Sequence, residues 1–348
     1  MADKLRWGIL GTALIARKCV IPAISVSKNG VVYGLGTSRV GEAESLVEEH
    51  GIVQLTEDFD DLLANPTIDA VYVPLPNHLH EYWVIRALDA GKHVLCEKPL
   101  GCSAAEGVKM AEAATRNDRV LMEAQMYRFH PRTQRIEKMV ADGAIGIPRL
   151  VRAAFCFSMS DDRLAAGDNY RLNSARGGGA LFDVGCYGVG VARLFLQHRV
   201  SRVQALTLAT NRSGIDLHLV GNLDFDGAAL GSIEASFCAG LQQTYSVIGS
   251  GGAIEVPHDG FIPWDRDALI FHRVGDSDTA ETIVIPGIDQ YRLMVEHFAD
   301  RVADGGVPLV SLEDSIRTLA VLDALAESAR SGTSVEVKEP LGDWHADA

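Results

Sequence analysis

Short apolar runs alternate with amphipathic stretches over the first third of the chain. LRWGILG, VVYGLGTS, AVYVPLP, HVLCE and RVLMEAQMY have the β-branched and aromatic character of buried strands. Between them, segments such as HLHEYWVIRALDAG and SAAEGVKMAEAATRN have helical spacing. Strict alternation of this kind predicts a doubly wound parallel sheet with helices on both faces, a Rossmann-type domain that we place at residues 1–128. After the helix-like HPRTQRIEKMVADGAIG, strands follow one another: RLVRAAFCFS, RVQALTLATN, LHLVGNLDF, ALGSIEASF, QTYSVIGS, ALIFHRV and TIVIPG. Few helices interrupt them, so residues 129–348 read as an α+β domain with a large open, mostly antiparallel sheet. The helix GALFDVGCYGVGVARLFLQ precedes most of these strands. QYRLMVEHFADRVADG and LEDSIRTLAVLDALAESARSG follow them, the last with a core stripe at Ile316, Leu319, Leu322 and Leu325. The tail EPLGDWHADA is expected to be loose.

A length of 348 residues supports two domains of this size, α/β overall. A hydrophobic content of 47% with 22% charged residues is ordinary for a soluble enzyme, and no apolar run reads as a membrane span. The N-terminus MADKLRWGIL lacks the pattern of an export signal. Cysteines at 19, 96, 102, 156, 186 and 238 show neither CxxC nor zinc spacing, so free thiols in a reducing cytoplasm are expected. His78 and His80 lack a third ligand, and no metal is expected. A net charge of −14 argues against nucleic acid as a partner.

Candidate chemistry begins at the first strand-to-helix turn, GILGTALIA. Aligned on the dinucleotide fingerprint, Gly11, Ala13 and Ala16 take the small positions needed for a tight turn, approach of a pyrophosphate and close helix packing. An ordinary turn explains so degenerate a pattern equally well. At the end of the second strand, where an acid would accept from ribose hydroxyls, the chain has GTSR. Ser38 and Arg39 suit a 2′-phosphate, which favours NADP over NAD; a solvated arginine opening a helix is the alternative. CEKPLG follows a later strand, and there Pro99 forces Lys98 into an extended turn beyond the strand's carboxyl end, where ligands bind. In GGGALFDVGCY, helical geometry places Asp183 and Tyr187 four residues apart on one face. Gly185, Gly188 and Gly190 in that helix imply close approach of a ligand or of a crossing element.

GILGTALIA, VPLPNHLHEYWVIRALDAGKHVLCEKPL, MEAQMYRFHP and GGGALFDVGCY, in this order, resemble the Gfo/Idh/MocA oxidoreductase family. Within it the chain is most similar to the branch holding glucose-fructose oxidoreductase, dimeric dihydrodiol dehydrogenase and NADP-dependent xylose dehydrogenases, a likeness that extends to QYRLMVEHFADRV. The resemblance implies a second domain for substrate binding and oligomerisation, with sheets packed into a homodimer or homotetramer. It also implies that Lys98, Asp183 and Tyr187 are catalytic. The implied cofactor contacts are Gly11, Thr12, Ala13, Leu14, Ile15, Ser38, Arg39, Pro76, Asn77, His80, Glu97 and Lys98. Helix capping by Asn77 competes with its place at the cofactor. Tyr127, Arg128 and His130 fall at the implied substrate entrance, with structural roles as the alternative.

The activity implied is NADP-dependent hydride transfer to or from a sugar or cyclic polyol. Tyr187 would move the hydroxyl proton, Lys98 would favour its phenolate, and Asp183 would orient Lys98 or the sugar. The alternatives are a sugar–sugar oxidoreductase that retains NADP, and an NADP-sensing regulator on the same fold.

Overall fold

In a computed structural model, residues 4–166, 169–208 and 214–341 are described. The chain forms two compact units. The first contains residues through Gly101, Ala105–Phe129 and Asp289–Ile316; the second contains Cys102–Ala104, His130–Ile288 and the chain from Arg317 onward. Assignment of everything after residue 128 to one domain therefore needs amendment, because Asp289–Ile316 packs with the first unit.

The elements of the first unit run β1 (Leu5–Leu10), α1 (Ile21–Val26), β2 (Gly30–Gly36), α2 (Val40–His50), β3 (Gln54–Thr56), α3 (Phe59–Ala64), β4 (Ala70–Val73), α4 (His80–Asp89), β5 (His93–Cys96), α5 (Ala104–Asn117) and β6 (Leu121–Glu123). The strands form a parallel sheet in the order β3-β2-β1-β4-β5-β6, with the reversal between β1 and β4 that marks a dinucleotide-binding Rossmann sheet. Its strands are apolar on both faces, Ala70–Val73 being wholly buried.

The second unit continues with α6 (Pro131–Ala141), β7 (Pro148–Ser158), α7 (Asp161–Ala166), α8 (Cys186–Leu196), β8 (Arg202–Leu208), β9 (His218–Phe225), β10 (Ala229–Ser236), β11 (Cys238–Gly249), β12 (Gly252–Val256), β13 (Ala268–Val274) and β14 (Glu281–Ile285). The chain ends with α9 (Gln290–Asp304), α10 (Leu312–Ser331) and β15 (Val335–Glu336). Helix α9 belongs to the first unit, where Phe298 meets Trp7 of β1 with ring centroids 5.0 Å apart and Asn29 donates to Asp300 at 2.7 Å.

Among the described residues, the second unit's sheet has the order β14-β13-β12-β11-β7-β10-β9-β8-β15, and only β7 and β10 pair in parallel. Helix α8 lies close on this sheet because its glycines leave room. A Cβ on Gly188 would come within 3.1 Å of Ile233 Cγ2, and one on Gly185 within 3.3 Å of the Ala235 Cβ. Of the two readings of these glycines, the crossing element accounts for Gly185 and Gly188. The stretch Ser174–Leu196 is long and apolar enough to span a bilayer, an 18-residue window in it having a mean hydropathy of 1.4, contrary to the sequence reading; 83% of that window is buried, as in a core helix. Ile316, Leu319, Leu322 and Leu325 are all buried, as their spacing requires. Most of the expected loose tail, residues 342–348, lies outside the described residues.

Candidate active site

In the first unit, the β1 turn is built around Gly11, whose φ of +109° is a conformation that a side chain would strain. Its N–H donates to Gly36 O at 2.8 Å, tying the ends of β1 and β2 together, and the Thr12 and Thr37 hydroxyls meet at 3.2 Å. Helix follows from Leu14, so the unpaired amides of its first turn, including those of Leu14 and Ile15, present partial positive charge at the turn. Ala13 is half-buried there and Ala16 wholly buried, the latter in a widened π turn, Ala16–Val20. Pro22 follows that turn and has no N–H for the α-helical bond to Lys18, which explains the change of ladder.

Ser38 and Arg39 are exposed beyond the end of β2. The Arg39 guanidinium makes a loose pair with Glu42 at 3.4 Å, each side chain about 60% exposed, so it stands in solvent reach of a ligand. No acid occupies Thr37, Ser38 or Arg39, where a ribose diol would need one.

Beyond β4, Pro76 and Asn77 open a short 3₁₀ turn. The cap positions of that turn and of α4 are Pro76 and Leu79, without side-chain caps, so Asn77 is not a helix cap; it is buried. His80 is wholly buried and places Nε2 2.8 Å from Leu75 O and Nδ1 3.1 Å from Pro99 O. The neutral ring has one N–H and donates to one of these two carbonyls at a time. His80, expected among the cofactor contacts, lies between the loops that carry Leu75 and Pro99. Burial holds its pKa below 6.5, against the pull of those carbonyls.

The β5 turn carries half-buried Lys98, joined to Pro99 by a cis peptide bond. Glu97 braces it from within: Tyr72 OH donates to Oε1 at 2.6 Å and the Lys98 amide to Oε2 at 3.2 Å. Both carboxylate oxygens of Glu97 are engaged in this bracing. Burial, then Glu97, pushes the Tyr72 phenol well above its usual range. Leu100 N donates to Glu123 Oε1 at 3.0 Å, and burial raises that carboxyl to about 7. Tyr127 is buried, and Arg128 is tied to Asp314 at 3.2 Å.

In the second unit, His130 is 1% exposed and caps α6, its Nδ1 accepting from Arg132 N at 3.0 Å. Burial and Arg132 drive its pKa down to about 4. Of the two roles expected for it, substrate entrance or structural, the geometry shows the structural one, a helix cap.

Asp183 lies in a π turn, Leu181–Gly185, and Tyr187 in the first turn of α8. Both are nearly buried, and Tyr187 packs on Phe155 and Phe261, each with centroids 5.2 Å away. Arg171 Nε donates to Asp183 Oδ2 at 2.8 Å, and its guanidinium lies over the Tyr170 ring at 4.7 Å. Asp183 chiefly, with Tyr170 and Tyr187 adding to it, holds that guanidinium firmly protonated. The glycine run explains how Arg171 arrives. A Cβ on Gly178 would stand 2.5 Å from Arg171 O, and Gly179 N donates to that same oxygen at 2.8 Å. The turn itself is capped by Asp216, which accepts from Leu181 N at 2.6 Å and whose carboxyl is raised to about 6 by burial.

Tyr72, Glu123, Arg171 and Asp216 were not singled out by the sequence. An acid closing the apolar run RVLME was the available signal for Glu123; Arg171 lies in an aperiodic loop and carried none.

Residues 5–125 match an oxidoreductase family described by its NAD-binding Rossmann fold, and residues 133–255 match the GFO/IDH/MocA C-terminal domain. A D-xylose 1-dehydrogenase (NADP(+)) from Haloferax volcanii is 37% identical over 96% of this chain and 100% of its own length. The structure of a 3-ketoreductase from Actinomadura kijaniata in complex with NADP and TDP-benzene superposes with a TM-score of 0.86 at 29% identity, covering 94% of this chain and 98% of the other. An aldose-aldose oxidoreductase from Caulobacter crescentus gives a TM-score of 0.86 at 26% identity, covering 96% and 100%.

Proposed function

Since the chain belongs to the Gfo/Idh/MocA oxidoreductase family, we propose that it is an NADP-dependent enzyme that moves hydride between the nicotinamide and a sugar or cyclic polyol. The observation that carries the reading is the end of β2, where Ser38 and exposed Arg39 replace the acid that NAD would use. NADP fits the rest of the turn: Gly11, in a conformation open to glycine, leaves no side chain in the way, and the first amides of the following helix suit a pyrophosphate. The 37%-identical relative named for D-xylose and NADP(+) supports both cofactor and substrate class.

When bound, the cofactor supplies or accepts the hydride. The chain supplies the rest. Tyr187 exchanges the proton of the reacting hydroxyl, a step that one positioned acid/base accomplishes. Lys98 stabilises negative charge as it develops on oxygen, and Asp183, held by Arg171, accepts from sugar hydroxyls. Substrate selection falls to the second unit, with Tyr127 and Arg128 lesser candidates.

Self-association through the open sheet face is part of the proposal. Leu206 and Leu208 of β8 and Val220 of β9, opposite Leu206 in register, are 69, 64 and 38% exposed, an apolar group suited to a second copy in a homodimer or homotetramer. A cytoplasmic location is supported by six free cysteines. The aldose-aldose relative favours one second reading, a closed cycle between two sugars on retained NADP; cofactor that stays bound through gel filtration would support it.

The test is a comparison of catalytic efficiency with NADP and NAD on the best aldose. A clear preference for NADP is expected; equality, or preference for NAD, would remove the phosphate role of Ser38 and Arg39.

A further inference from the structure

We infer that Glu123 is a positioning residue for Lys98, fixing the turn that carries the lysine through the amide of Leu100. The turn is held at three points. Glu97 Oε2 accepts from Lys98 N at 3.2 Å, His80 Nδ1 is 3.1 Å from Pro99 O, and Glu123 Oε1 accepts from Leu100 N at 3.0 Å. Glu123 closes β6, which pairs with β5 so that Cys96 and Glu123 stand opposite each other in register. The side chain is 2% exposed and forms no ion pair among the described residues. A carboxyl in such surroundings is costly, and the Leu100 amide gives it a purpose: that buried donor would otherwise go unsatisfied.

The groups facing Glu123 come from three elements. The Ser315 hydroxyl of α10 and the Gln125 side chain lie on the side that favours its charge, Asp314 of α10 opposes it, and the Cys96 thiol of β5, raised chiefly by burial, is raised further by Glu97 and Glu123. Burial outweighs the favourable groups, and the carboxyl titrates at about 7. Ionised, it makes a charge-assisted bond to Leu100 N; protonated, it is a weaker acceptor. The Lys98 turn is therefore tightest above pH 7 and slackens below. His80, a second titratable brace, has its pKa held below 6.5 by burial.

The inference rests on Lys98 as the reaction's cation, and its test has a readout independent of turnover. The lysines of the full chain are dimethylated with carbon-13, and the Lys98 signal is assigned by its loss in Lys98→Arg. The wild-type signal is expected to shift in a step near pH 7, to lose that step in Glu123→Gln, and to have it displaced upward in Ser315→Ala, which removes a hydroxyl favouring the charge. The serine variant also covers the case in which Glu123→Gln folds poorly. A wild-type signal with no such step, or one unchanged in both variants, would overturn the inference. With an active sugar substrate, kcat should fall below pH 7 in the wild type but not in Glu123→Gln, whose turnover at high pH should be about threefold to tenfold lower, the difference between a charged and a neutral acceptor. A Glu123-dependent step in a protein inactive on every sugar would uphold the positioning and remove Lys98 from catalysis.

Discussion

Arg171 donates its Nε–H to Asp183 at 2.8 Å, so the acid assigned to sugar or lysine already has a cationic partner within its own unit. Asp183 is one-tenth exposed and Arg171 about a third, which makes this pair more consequential than a surface bridge but partly screened. Arg171→Met should lower kcat/KM at least tenfold and reduce stability by about 1–3 kcal/mol, the range for a hydrogen bond to a charged group. Arg171→Lys, keeping charge without the planar fork, should recover part of both. Steady-state kinetics with thermal melts check this; wild-type kinetics in the methionine variant would mean that Asp183 needs no partner.

Arg39 is exposed and loosely paired, so its removal should cost binding and leave the fold intact. Arg39→Ala should weaken NADP about tenfold to a hundredfold, the worth of one or two charge-assisted bonds, with little change towards NAD. Fluorescence titration of both reduced cofactors measures this. An equal loss for both would place Arg39 outside the 2′-phosphate site.

Tyr187→Phe removes one hydroxyl from an aromatic cluster with Phe155 and Phe261 and leaves its packing in place. Turnover should drop about a hundredfold to ten-thousandfold while NADP binding survives. Near-normal turnover would take the tyrosine out of proton transfer.

Two carboxyls, buried Glu123 at about 7 and half-buried Asp216 at about 6, lie above their ordinary values of 4.5 and 3.8. For a carboxyl raised in the folded state, the stability it allows is full below the unfolded pKa and is lost as pH rises through the folded one. Glu123 should cost about 3 kcal/mol at pH 8 relative to a pH below its unfolded value. His93 and His130, whose pKa values burial lowers to about 4, act in the opposite sense over the same range, so the test is a difference: Glu123→Gln should gain about 2–3 kcal/mol relative to the wild type between pH 5 and pH 8. A difference that does not change over the interval would contradict the burial of Glu123.

Much of the fold was legible where elements are long and periodic. RLVRAAFCFS became β7 with Pro148 added and ALIFHRV became β13 residue for residue, because alternation reports a half-buried strand directly. Gln54–Thr56, Gly252–Val256 and Val335–Glu336 were not singled out as strands, being too short or too glycine-bearing for a pattern. The membership of α9 in the first unit was invisible, since its partner Trp7 is distant in sequence. At the site, motifs drew attention to Gly11, Lys98, Asp183 and Tyr187, because each falls in a strand-end turn or a helix with a pattern of its own. For His80 and His130, polarity in a motif does not show whether a ring faces a ligand or a backbone carbonyl or amide. Arg171 and Glu123 depend on contacts across loops and strands, which spacing does not encode.

The central claim is hydride exchange between NADP and a sugar. The direct measurement is the absorbance of reduced nicotinamide while the purified protein is incubated with NADP and a panel of aldopyranoses, inositols and dihydrodiols, and in reverse with NADPH and keto sugars. The account predicts steady formation or consumption of NADPH with at least one of them, lost in Tyr187→Phe. No change across the whole panel by a protein that binds NADP would contradict it.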